Sequence, residues 1–226
     1  LAVLLVSATL LTVRSIRSDA ANPGFQAAMA QAQAQSERIG ALIRANGGIP
    51  PGGAGTLLRE DPATTGPRLF AQHCAGCHRY DGHDGLGLVS KDLPSAPDLK
   101  GFGSREWLAG FLEAGRITNH AYYGGTRFRE GKMVKYVTTK LPKLHAGNPS
   151  ALEAMVAAVS AEAGLPGQRE KDAKDSALIE QGRTHVRETF ACTDCHAFRK
   201  PDDEASAPEL TGWGSREWIL AITTDP

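Results

Sequence analysis

Four cysteines and two histidines carry the chemistry this chain can do. They stand as Cys74-Ala-Gly-Cys77-His78 and Cys192-Thr-Asp-Cys195-His196, and they use every cysteine of the 226 residues. Cys-x-x-Cys-His is the attachment pattern of c-type haem. The two thiols form thioethers with the haem edge, and the adjoining histidine reaches the iron as its proximal ligand. No thiol remains for a disulfide framework. Two other chemistries use paired cysteines. A structural zinc site wants four converging ligands, commonly two Cys-x-x-Cys pairs at short separation, whereas these pairs lie far apart. A thioredoxin-type dithiol wants a strand before it, whereas short helical sequence precedes both motifs.

The two motifs belong to a longer repeat. Phe70-Ala71-Gln72-His73-Cys74 is echoed by Glu188-Thr189-Phe190-Ala191-Cys192. Ala96-Pro97-Asp98-Leu99-Lys100-Gly101-Phe102-Gly103-Ser104-Arg105-Glu106-Trp107 is echoed by Ala207-Pro208-Glu209-Leu210-Thr211-Gly212-Trp213-Gly214-Ser215-Arg216-Glu217-Trp218. Cys192 follows Cys74 by 118 positions and Ser215 follows Ser104 by 111, so the second haem loop is seven residues shorter. A period of this size marks duplicated domains, not a solenoid.

Elements that position the motifs follow from local pattern. Phe25–Ala45 is rich in Ala, Gln and Glu, with Pro23 before it and Gly47 after it, and predicts a stalk or docking helix. Asn46–Gly55 is dense in Gly and Pro and predicts a linker. Gly66–His73 predicts a short helix that delivers Cys74, and residues 81–87 a loop. Ser104–Glu113 predicts a helix with Trp107, Leu108 and Phe111 on one face. Pro149–Ala163 predicts another, capped by Asn148, with Leu152, Met155, Val156 and Val159 inward. The expected organisation is mainly α: residues 1–17 the end of a transmembrane helix, 22–62 a helix and linker, 63–165 one haem domain, 166–175 a charged linker, and 176–226 a second, incomplete haem domain.

Composition narrows the partners. With 25 basic and 25 acidic residues the formal charge is zero, which argues against a nucleic-acid partner. Aromatics are only 6% of residues, and a haem would supply apolar bulk to small cores. The apolar run Leu1–Val13 is shorter than the ~20 residues a span requires. It reads as the end of a transmembrane helix, with a secretory signal core as the rival. Arg14 and Arg17 weakly suggest a cytoplasmic flank, which conflicts with haem attachment outside the inner membrane; the haem motif takes precedence. The chain begins without methionine and reads as part of a longer polypeptide.

The stretch from Gly66 through His78, the Ala-Pro-Asp-Leu segment, a later methionine and a closing helix resemble a class I cytochrome c domain, with the first half of a second domain following. The resemblance implies two covalent haem c groups on Cys74, Cys77, Cys192 and Cys195, with His78 and His196 as proximal iron ligands. It implies Met133, 55 residues beyond His78, as distal ligand of the first haem. His120 and His145 are the rivals, and Val134 stands where the family often has proline. No methionine follows His196 in the chain; by the offset of 111 the counterpart of Met133 is expected at about position 244, past its end, with an open iron as the rival reading. Pro97 and Pro208 are implied as carbonyl acceptors for the histidines, with Pro94 as a rival, and Leu99 and Leu210 as residues lining the haem faces. For Trp107 and Trp218, a place near the propionate edge and ordinary core packing both stay open. Arg127, Arg129, Lys132, Lys135, Lys140 and Lys143 stand against Glu130 alone, a solvated face or a rim that steers an acidic redox partner.

The expected function is electron transfer by a membrane-anchored di-haem cytochrome on the outer, periplasmic side of the inner membrane. Its redox protein partners would include a cytochrome b/Rieske-type complex, since the arrangement also resembles the tail of a cytochrome b/c fusion subunit. Two readings remain beside it: a subunit of a di-haem peroxidase or dehydrogenase, with an open second iron, and a zinc or dithiol module without haem.

Overall fold

The computed structural model describes residues 1–225, and the chain divides into two compact units, Leu1–Pro67 and Arg68–Pro226. The first contains α1 (Ala2–Ala21), α2 (Pro23–Ala45) and α3 (Ala54–Glu60). Asn22 separates the first two, and its Oδ1 accepts from Phe25 N at 3.1 Å, capping α2 above Pro23. The run expected as a membrane stub forms most of α1, but the helix continues through Arg14, Arg17 and Asp19. None of the described helices is long and apolar enough to cross a membrane. The Gly-Pro segment is shorter than expected: it ends at Gly53 (φ 83°), and Ala54 already begins α3.

Asp61, buried between α3 and α4 (Pro62–His73), fixes this corner. It accepts from Arg38 Nε at 3.0 Å and Nη2 at 2.5 Å, and from Thr64 Oγ1 at 2.6 Å. The Arg38 and Thr64 donors hold its carboxyl well below the usual carboxylate range.

The second unit begins within α4, where Pro67 is tolerated inside the helix. Next comes α5 (Arg105–Phe111), capped by Ser104 Oγ accepting from Trp107 N at 3.1 Å. A helical run follows as α6 (Lys132–Lys135), a π turn (Tyr136–Lys140) and α7 (Leu141–Gly147). The π turn precedes Pro142, which has no N–H to continue an α ladder. Then come α8 (Pro149–Ala161), α9 (Arg169–Lys174), α10 (Ser176–Glu188) and α11 (Arg216–Thr224). Among the described residues only isolated bridges occur, no strands. Asn148 does not cap α8 with its side chain as expected; its Nδ2 donates back to Leu144 O at 3.3 Å.

Residues 166–175, expected as a charged linker, fold into a 3₁₀ turn (Pro166–Gln168) and α9. The reason is Arg105, which is buried and donates to Asp175 Oδ2 and Asp172 Oδ1, each at 2.6 Å. Gln168 completes the clasp, accepting from Arg105 N at 3.0 Å and donating to Ser160 Oγ, which in turn donates to Gly103 O. Two charges of the expected linker thus pair with the Nη1 and Nη2 of one buried guanidinium, whose Nε has no partner.

The core of this unit lies where α8 meets α5, the π turn and α10. The face of α8 is small, with Ala151, Ala154, Ala157 and Ala158 buried, and Gly182 of α10 sits directly on it. A Cβ at Gly182 would collide with the Ala154 carbonyl and crowd the Ala158 methyl. By contrast α4 buries no side chain.

Two outcomes follow. Gly182→Ala costs about 1–3 kcal/mol in denaturant unfolding, whereas Gly66→Ala in α4, where a Cβ meets open space, is neutral or stabilising by ~0.5 kcal/mol. Because Asp61 titrates below its unfolded range, its contribution is present above about pH 4 and lost as pH falls further. Hydrogen exchange of residues 54–65 therefore quickens on acidification, and Asp61→Asn abolishes that pH step.

Candidate functional site

Each cysteine motif sits at the exit of a helix, and the two are built by the same set of bonds. In the first, Cys77 N and His78 N donate to Cys74 O at 3.1 and 2.9 Å. In the second, Cys195 N and His196 N donate to Cys192 O at 3.2 and 3.0 Å. This tight turn lets two cysteines and a histidine project from five consecutive residues. All four thiols are free.

The chain then returns under each motif. Ala96 N donates to Cys77 O at 3.1 Å, and Ala207 N to Cys195 O at 3.0 Å. Leu99 N donates to Arg79 O at 2.8 Å, and Leu210 N to Ala197 O at 2.9 Å. The prolines are thereby carried to the histidines: His78 Nδ1 lies 2.7 Å from Pro97 O, and His196 Nδ1 lies 2.6 Å from Pro208 O. A carbonyl can only accept, so Nδ1 carries the proton in both rings, and Nε2 keeps its lone pair for a metal. Pro94 takes no part in this bond.

Beyond the prolines the copies still agree. Gly101 and Gly103, like Gly212 and Gly214, adopt positive φ, so the chain reverses and a serine caps the next helix. Trp107 Nε1 donates to Asp98 O at 2.9 Å, and Trp218 Nε1 to Glu209 O at 3.1 Å. The tryptophans are thus girders beneath the proline loops. Trp107 is buried in the core, stacked on Phe111 at 5.4 Å. The copies meet through Phe102 and Trp213, whose rings lie 4.8 Å apart.

The copies differ in what holds them. In the first, Arg79 is buried and staples the long loop, donating to Ala75 O at 2.6 Å, His78 O at 2.7 Å and Asp92 O at 2.8 Å. Asp98 adds a second tie by accepting from Asp81 N, Gly82 N and Lys100 N. In the second copy Ala197 replaces this arginine, and the shorter loop does without the staple. Instead Glu162, at the end of α8, accepts from Arg199 Nε at 2.8 Å and Gly212 N at 3.1 Å. Ala191, just before Cys192, is held at φ 47°, a left-handed conformation uncommon for alanine. Burial pushes the Cys192 thiol up to about 12. Neither Arg79 nor Glu162 follows a motif that sequence reading could have singled out.

Met133 lies on α6, half-buried against the core cluster. The basic residues expected as a rim, from Arg127 to Lys143, are exposed. Among the described residues no group of three or more His, Cys, Asp or Glu side chains converges as a metal-ion site would require. The donor set does fit haem c: paired free thiols beside a histidine with Nε2 available.

The arginine staple generates a measurable consequence. Arg79→Met leaves three carbonyls without their charged donor, lowers stability by about 1.5–3 kcal/mol and speeds hydrogen exchange across residues 80–94.

No curated protein and no solved structure matches the chain. The family model described as Cytochrome c matches residues 63–157, a stretch that includes Cys74, Cys77, His78, Pro97 and Met133. Over those residues the chain is similar to the cytochrome c family.

Proposed function

We propose that the chain is a di-haem c-type electron carrier, with covalent haem c at Cys74/Cys77 and at Cys192/Cys195. The observation that carries this reading is the duplication of the proximal bond set, down to the histidine–prolyl carbonyl contact at 2.7 and 2.6 Å. The bound haem iron supplies one-electron redox chemistry. The residues of the chain do the rest. His78 and His196 present Nε2 to the iron, and Pro97 and Pro208 fix ring orientation. Leu99 and Leu210, both half-buried, exclude water beside the haem faces. Met133 offers a thioether, which favours the ferrous state and raises the potential.

This reading makes the protein an electron carrier rather than an enzyme. The exposed basic residues from Arg127 to Lys143 would guide an acidic redox protein. It places the haem domains on the periplasmic side, where c-type haem is attached. Attachment to the inner membrane, and to a cytochrome b/Rieske-type complex, rests on the apolar run Leu1–Val13, whose side chains are exposed along α1.

Pyridine haemochrome assay of protein matured in a periplasm tests it. Two haems per chain are expected, one after Cys74→Ala/Cys77→Ala and one after Cys192→Ala/Cys195→Ala. No covalent haem in a competent host would contradict the reading.

A further inference from the structure

The two copies touch through residues that occupy the same place in the repeat. Trp213 follows Phe102 by 111 positions and Gly214 follows Gly103 by the same 111, the offset that relates Ser215 to Ser104. The Phe102 and Trp213 rings lie 4.8 Å apart. The glycine backbones nearly meet: a Cβ on Gly214 would lie 3.2 Å from Gly103 Cα, and one on Gly103 would lie 3.8 Å from Gly214 Cα. The Ala163 methyl sits over both glycines. A contact in which residues meet their own counterparts is isologous, the mark of a two-fold relation. The repeats therefore pack as a local pseudo-dimer through the turns that follow their prolines.

That contact is tied to both histidines by matching links. His78 Nδ1 lies 2.7 Å from Pro97 O, and the next carbonyl, Asp98 O, accepts from Trp107 Nε1 at 2.9 Å. The Trp107 ring lies 5.0 Å from Phe102 and 6.0 Å from Trp213. On the other side His196 Nδ1 lies 2.6 Å from Pro208 O, and Glu209 O accepts from Trp218 Nε1 at 3.1 Å. The Trp218 ring lies 6.2 Å from Phe102. From one imidazole to the other, the path crosses only hydrogen bonds, one covalent link on each side and packed rings. Trp107 and Trp213 are buried, so no solvent layer separates the copies there. Tunnelling decays faster across empty space than across bonded or packed atoms, and this path has no void to cross.

We propose that this junction passes electrons between the two centres, with Phe102 and Trp213 as its positioning residues. An electron accepted at one copy then leaves from the other. The proposal rests on the haem reading above and deepens it. The step moves one electron: a ferrous iron at one histidine is oxidised as the ferric iron at the other is reduced. No bond forms or breaks, and no proton moves.

The test uses the di-haem chain matured in a periplasm and poised half-reduced. Exchange NMR follows the haem methyl resonances at several protein concentrations. Chains carrying Cys74→Ala/Cys77→Ala or Cys192→Ala/Cys195→Ala assign the resonances to each haem. Exchange within a chain is independent of concentration, and exchange between chains is not. A concentration-independent exchange is expected in the native chain. It slows in Phe102→Leu and in Trp213→Leu and stays close to native in Trp213→Phe, with both midpoint potentials unchanged in all three. Native exchange that depends wholly on concentration overturns the proposal. So does native exchange in both leucine variants, equal slowing in Trp213→Phe and Trp213→Leu, or slowing only where a midpoint potential moves. Fewer than two covalent haems on the native chain shows instead that the haem reading beneath it fails.

Discussion

The structure of the second unit depends on how closely α8 and α10 approach. Two helices bury area against each other only as far as their side chains allow, and van der Waals attraction falls steeply with each added ångström. Here the facing residues are Gly182 and a row of alanines, so the backbones themselves are near contact. Everything at the second motif inherits that constraint. The end of α10 sets where Cys192 emerges, and the end of α8 sets where Glu162 meets the second proline loop. The Arg105 contacts with Asp172 and Asp175 tie α9, which lies between the two helices in the chain, to α5.

The geometry of the two cysteine motifs is more local. Each proximal pocket is a short circuit of backbone bonds: the cysteine turn, the returning strand-like bridge, the proline carbonyl and the tryptophan girder. All the members fall within about thirty residues of one another in sequence. Local circuits tolerate duplication, which explains why both copies keep the same contacts while differing in loop length and in their staples. In the first copy the cover over α5 comes from farther along the chain, from Ile117 to Val159. Leu108 and Phe111 of α5 are 5% and 8% exposed under that cover.

This division also explains how much was legible from sequence. The spaced cysteines, the Gly-x-Gly-Ser caps and the prolines encode short-range geometry, and each residue has one physical reason to be there. The helices at Phe25, Ser104 and Pro149 likewise follow from propensity and periodicity. The pairing of α8 with α10 does not, because α4 and α10 precede equivalent motifs and an alanine face is complementary to either. Charge was ambiguous for a similar reason. Asp172 and Asp175 look like part of a charged linker until Arg105, some seventy residues away, is brought beside them. Arg79 and Glu162 act on backbone carbonyls and amides, partners that leave no mark in side-chain pattern.

The central claim is that one chain holds two independent one-electron centres. A spectroelectrochemical titration of the matured protein, counting electrons taken up per chain, addresses it most directly. The account predicts two electrons per chain, delivered in two one-electron steps at distinct potentials because the two haem surroundings differ. Uptake of a single electron per fully matured chain, or of none, would contradict it.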